Sequence, residues 1–228
     1  GSHTMAGDVL KLLEMTEWDG DLAGLSKIGR MDITKLAGLA STAWLTDEHV
    51  NPGVDLLRMQ LEYGCEAGEV EVVMNWFYEL VVQGYHNLDH YSTSSTKNMA
   101  WVWKMGCSVA SKAMEYVCFI ANVGRNHWIS VVIDATQRQI QIGDSLYATI
   151  PLNVVKALQW WTGYHTGEEF SVVDLPIGRQ TDSHSCGVFA WNALATRFLP
   201  IAYGRATEST IVAERLRLMR DALRVNLE

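Results

Sequence analysis

Cysteine, histidine and a carboxylate are the residue types from which a chain builds an acyl-transfer site, and here they occur in the order His127, Asp144, Gln180, Cys186. A thiol nucleophile needs a base to take its proton, a group that orients the base, and donors for the oxyanion. Cys186 is followed by Gly187 and by an apolar stretch with helical character, Val188 to Phe198. Its sulfur is therefore expected at a helix mouth, where the positive end of the macrodipole favours the thiolate. Gly187 is expected to permit the close backbone approach that such a site requires. His127 opens the run His127-Trp128-Ile129-Ser130-Val131-Val132-Ile133, and Asp144 closes Ile142-Gly143-Asp144-Ser145. If these runs pair as an antiparallel hairpin, the start of one lies beside the end of the other, and imidazole meets carboxylate. Gln180, six positions ahead of Cys186, offers a neutral amide that could join the Cys186 backbone N–H as an oxyanion donor.

Each residue also has an ordinary reading. Cys186 alone would be a small buried hydrophobe, His127 a strand-end histidine, Asp144 a turn-opening aspartate and Gln180 a loop glutamine. The combination in one order is what favours chemistry. His184 competes as the base, but it shares a loop with Cys186 and has no carboxylate placed on a neighbouring strand. His86, Asp89 and His90 are read as a solvated loop rather than a metal site. Cys65, Cys107, Cys118 and Cys186 form no CxxC pair and no cluster with histidine, which leaves zinc without support. Four such cysteines suit a reduced intracellular compartment, nuclear or cytoplasmic, although two disulfides remain open.

The surrounding elements must position these groups. With 228 residues, 48% hydrophobic and nine Trp, the chain can bury one core. Gly1-Ser2-His3 reads as a remnant of expression, so residues 1–5 are set apart as disordered and 6–228 are taken as a single catalytic domain. A net charge of −8 argues against nucleic acid as partner, and no apolar run reaches the length of a membrane span. Thr46 or Asp47 is placed to cap a helix bearing Val50, Val54, Leu57 and Leu61, with Pro52 delaying or kinking it. A strand is expected over Glu69–Met74, a short helix over Asn75–Val82, a loop or helix entry at Ser92–Thr96 and a helix over Ser95–Lys104. Tyr116–Ala121, Trp128–Ile133 and Gln139–Gly143 are Val- and Ile-rich strands, the last two joined by a turn at Asp134–Gln137. A helix over Leu152–Trp161, a strand over Phe170–Leu175 and the Val188–Phe198 helix follow. Val212, Leu216, Met219 and Leu223 mark a final amphipathic helix. Helices at both ends with strands between them indicate an α+β domain.

The segments Asn126-His127-Trp128, Gly143-Asp144-Ser145, Gln180 and Ser185-Cys186-Gly187-Val188-Phe189, in this order and spacing, resemble the SUMO/sentrin-specific protease family, the ubiquitin-like-protein proteases. Trp44-Leu45-Thr46-Asp47 is similar to the family's Trp-Leu-x-Asp element. The resemblance covers about residues 44–198. It implies a papain-like fold, a mixed sheet flanked by helices with the nucleophile heading the central helix. It also implies cleavage after the C-terminal Gly-Gly of SUMO or another ubiquitin-like modifier, in precursors or isopeptide conjugates, through a thioester. On this reading Trp128 and Trp44 sandwich the Gly-Gly tail, Asp47 touches the modifier, and a monomer acts without metal or organic cofactor. Ser185 departs from the family, which usually has Asp before the nucleophile. Three alternatives stay open: a maturation protease or an acyltransferase on the same scaffold, or a non-catalytic module that only binds the modifier.

Overall fold

The computed structural model describes residues 2–25, 31–63, 69–93 and 96–228. Helix α1 (Ser2–Met15) is followed by a 3-10 helix (Ile33–Ala40) and by α2 (Asp47–Glu62). Strand β1 (Val70–Val72) leads to α3 (Trp76–His86), α4 (Leu88–Ser92) and α5 (Lys97–Ala110). Then come β2 (Tyr116–Val123), β3 (His127–Asp134), β4 (Gln139–Gly143), α6 (Leu152–Thr166) and β5 (Ser171–Asp174), with α7 (Cys186–Phe198) and α8 (Ile211–Leu227) last.

The five strands form one mixed sheet in chain order, β1 parallel to β2, β2–β3–β4 antiparallel, and β5 parallel to β4. Both faces of its centre are buried, which explains why the strands read as continuous apolar runs rather than alternating ones. Cys118, Ile120, Trp128 and Val132 join a core with α2, α7 and α8. Val117, Phe119, Ile129, Val131 and Ile133 join a second core with α3, α5 and α6. The α+β class, the three central strands and their hairpin order agree with the sequence. At the β3–β4 turn the Asp134 carboxylate accepts from Gln137 N at 2.7 Å, a local bond that favours the chain reversal.

Several boundaries differ. Helix α1 begins inside residues 1–5, the stretch set apart as disordered. Further along it, Val9 is buried and Leu12 and Leu13 pack in the core that α8 shares. Helix α2 starts at Asp47 rather than late and runs through Pro52, which leaves the Glu48 carbonyl without its i→i−4 donor. The strand expected over Glu69–Met74 shortens to three residues, and the one over Phe170–Leu175 to four. Helix α3 continues to His86, and Asp89 and His90 lie in a further helix, not a loop. The cause is Asn87, whose side chain accepts from His90 N at 3.0 Å and caps α4. Thr96 caps α5 by accepting from Met99 N, and that helix runs on to Ala110. Ser94, Ser95 and Cys65 lie outside the described residues. Among the described residues no helix is long and apolar enough to cross a membrane.

Candidate active site

Three elements converge at one end of the sheet. Antiparallel pairing of β3 with β4 sets Ser130 opposite Gly143, which leaves His127 and Asp144 at the same end. Gly143 is needed there, because a Cβ would lie 2.5 Å from Ser130 Oγ and 3.3 Å from the Leu175 carbonyl. Helix α7 packs beneath β3 and presents Cys186 as its first residue.

His127 Nε2 lies 2.7 Å from Asp144 Oδ1. A carboxylate only accepts, so Nε2 carries the proton and Nδ1 is left to deal with the thiol. The same Oδ1 accepts from Leu146 N at 2.8 Å, which fixes the carboxylate. Burial works against charge on the His127 ring. The hydrogen bonds to Asp144 and Cys186, with the Coulombic attraction of both, outweigh it and raise the pKa to about 9. Cys186 faces the same cleft as this ring. The residue is only 1% exposed, but it lies at the floor of an open cleft of about 490 Å³ walled by Asn126, His127, Asp144, Leu146 and Gln180. Its own N–H is among the first of a helix, and these have no intrahelical acceptor.

Gln180 is buried beside this cleft. Ser145 Oγ donates to its Oε1 at 2.8 Å, and Gln180 N donates to the Ser145 carbonyl at 2.7 Å. Its Nε2 lies 2.8 Å from the Asp182 carbonyl and 3.0 Å from Asp182 Oδ1. Asp182 Oδ1 also accepts from His184 N and Ser185 N, each at 2.8 Å. Burial opposes charge on Asp182, but these bonds prevail and hold its carboxyl below the usual range. Ser185 is the N-cap of α7. His184 Nδ1 stands 3.7 Å from Asp182 Oδ1 and is not aligned by a strand.

The aromatic pair is closer than a sandwich permits. Trp44 and Trp128 stack with centroids 5.9 Å apart and planes at 24°. A chain between two rings needs about 7 Å, two contacts of about 3.5 Å. Trp128 is also fully buried, its Nε1 donating to the Leu45 carbonyl at 2.7 Å. Trp44 must therefore part from it before anything touches its face. Gly187 serves this packing rather than approach to substrate, since a Cβ would lie 3.3 Å from both Leu45 and Trp128. Asp47 is exposed at the first turn of α2.

Sequence reasoning missed Arg215. This buried residue of α8 reaches four carbonyls: Leu39, Gly38 and Ala43 on the segment before Trp44, and His184 before the nucleophile. Its one sequence signal is a cation within the apolar spacing of α8. Ser145 and Asp182 were also missed as organisers, although an Asp just ahead of a helix is a recognisable capping signal. His86, Asp89 and His90 belong to α3 and α4, and among the described residues no group of His, Cys, Asp and Glu could hold a metal.

A mixed sheet with a thiol at the head of its packed helix, facing an acid-oriented imidazole, belongs to the papain-like cysteine peptidases. Residues 43–200 match the Ulp1 protease family, C-terminal catalytic domain, and the chain belongs to that family. The fold is similar to the C-terminal Ulp1 protease domain in complex with Smt3, the yeast orthologue of SUMO, at 15% identity and TM-score 0.70, over 97% of this chain and 96% of that one. It is also similar to the Ulp1-like SUMO protease catalytic domain of Chaetomium thermophilum, at 16% identity and TM-score 0.74, over 100% of this chain and 91% of that one. The Xanthomonas campestris effector XopD, solved bound to ubiquitin, matches at 18% identity and TM-score 0.50, over 78% of this chain and 91% of that one. No curated protein matches the chain.

Proposed function

We propose that this cysteine peptidase cleaves after the C-terminal Gly-Gly of SUMO or another ubiquitin-like modifier, with Cys186 as nucleophile, His127 as base and Asp144 as its orienting acid. The observation that carries the reading is the His127 imidazole, held by Asp144 at 2.7 Å, lining the same open cleft as Cys186. The thiol proton passes to Nδ1, the sulfur attacks the carbonyl of the terminal glycine, and the oxyanion turns toward Cys186 N–H and Gln180. The imidazolium then gives its proton to the departing amine, and water, deprotonated by His127, hydrolyses the thioester. Trp44 and Trp128 exclude larger side chains from the tail once they separate, and Asp47 meets the modifier from the first turn of α2. Three free thiols among the described cysteines agree with work in a reduced compartment of the cell, nuclear or cytoplasmic.

A panel of Gly-Gly-ended modifier probes carrying a C-terminal electrophile tests the reading. The wild type is expected to be labelled at Cys186 by SUMO or a related probe, and Cys186→Ala by none. A protein that binds the modifiers but captures no probe is a docking module, and turnover retained in Cys186→Ala refutes the nucleophile.

A further inference from the structure

Most of the molecule outside the cleft is explained by packing, but the loop that leads into α7 is organised around a single oxygen. Asp182 Oδ1 is the acceptor for Gln180 Nε2 at 3.0 Å, for His184 N at 2.8 Å and for Ser185 N at 2.8 Å. The Asp182 carbonyl takes a second contact from the same Nε2, at 2.8 Å. At the other end of that amide Ser145 Oγ donates to Oε1; the two Asp182 oxygens, which can only accept, fix Nε2 as the end that faces the loop.

These contacts have a geometric consequence. The two groups that can receive an oxyanion are Gln180 Nε2 and the N–H of Cys186. One is bonded directly to Asp182, and the other follows immediately on two N–H groups bonded to it. We infer that Asp182 is a positioning residue of the acyl-transfer reaction, setting the distance between the two oxyanion donors through its Oδ1. The inference rests on the peptidase reading above and adds a residue to it. Nε2 has two N–H bonds and meets two acceptors of Asp182, so the developing oxyanion displaces the longer contact, to the carboxylate. The donor is held in readiness and released to the transition state. Only that one contact has to give way, so most of the donor's placement is set before the charge appears.

The test compares wild type, Asp182→Ala, Asp182→Asn, Gln180→Ala and the Asp182→Ala/Gln180→Ala double variant on a Gly-Gly-ended SUMO fusion, with iodoacetamide alkylation of Cys186 measured in parallel. Asp182→Ala is expected to lower kcat by roughly tenfold to a hundredfold with little change in KM, part of the roughly 10²–10³ that loss of an oxyanion donor costs. Asparagine keeps the Oδ1 acceptor and should restore kcat to within about threefold, a rescue that the same acceptor geometry requires. The double variant should lose clearly less than the product of the two single losses, because Asp182 acts partly through Gln180. Alkylation uses no oxyanion, so its rate should stay close to wild type in Asp182→Ala. Full activity in Asp182→Ala, losses that multiply, or alkylation falling in step with kcat would each overturn the inference. A wild type that turns over no substrate would remove the peptidase reading itself, and this one with it.

Discussion

Replacing Asp144 by asparagine removes one negative charge from a site where the structure assigns that charge a measurable share. Burial lowers the basicity of His127, and the hydrogen bond that its ring donates to Asp144 heads the contributions that reverse this and lift the pKa from 6.5 to about 9. A rise of that size favours the imidazolium by about 3 kcal/mol. Asp144 supplies the larger part of it, so its loss should cost about 2–3 kcal/mol of imidazolium stabilisation, or roughly 30- to 200-fold in kcat/KM near pH 7. Asparagine can also donate to Nε2, placing the ring proton on Nδ1, where it blocks the thiol. The assay is kcat/KM on a Gly-Gly-ended modifier fusion from pH 5 to 10. The wild type should lose activity on the alkaline side near pH 9, and the variant at lower pH as well as from a lower plateau. Stability provides a second readout with its own sign. Because the folded value lies above the unfolded one, His127 contributes fully below about pH 6.5 and loses that contribution as pH rises through about 9. Urea unfolding of the wild type should show this decline, and Asp144→Asn should flatten it. An unchanged alkaline limb with less than a threefold loss of activity would refute the electrostatic assignment.

Arg215→Met leaves four carbonyls without their buried donor, and should cost about 2–4 kcal/mol in urea unfolding; a change below about 0.5 kcal/mol contradicts the clasp. His165 is half-buried against Tyr91, whose hydroxyl lies 2.6 Å from its Nε2, and this desolvation lowers its pKa to about 4. Its contribution to stability is present above about pH 6.5 and lost as pH falls through about 4, so His165→Gln should show a shallower fall of Tm over that range than the wild type. Trp44→Ala uncovers Trp128, and should raise KM for the modifier several-fold while Cys186 is alkylated at the wild-type rate; an unchanged KM argues against the aromatic wall.

What the sequence disclosed follows from the range of the forces involved. The strands β2 and β3 were legible because burial on both faces selects apolar residues in runs, and β4 because its isoleucines alternate with glutamines. The pairing of His127 with Asp144 follows from hairpin geometry, which needs only local register. The loop about Asp182 was not legible as a unit, since its meaning depends on which way the Gln180 amide points, and that is set only when Asp182 and Ser145 meet around it. The role of Trp128 followed from the resemblance, but its burial was not legible: adjacent strand residues face opposite sides, and only the tertiary fold decides which side α7 covers. The α1 helix depends on α8, at the far end of the chain. The short α4 helix depends on one asparagine cap.

Arg215 ties the stretch that carries Trp44 to the stretch that carries Cys186, yet it enters the chain after both. During synthesis the nucleophile, its base and its acid therefore leave the ribosome before the residue that fastens the tryptophan wall to them. A nascent chain halted before α8 holds every reacting group and lacks the clasp that aligns the wall with the sulfur.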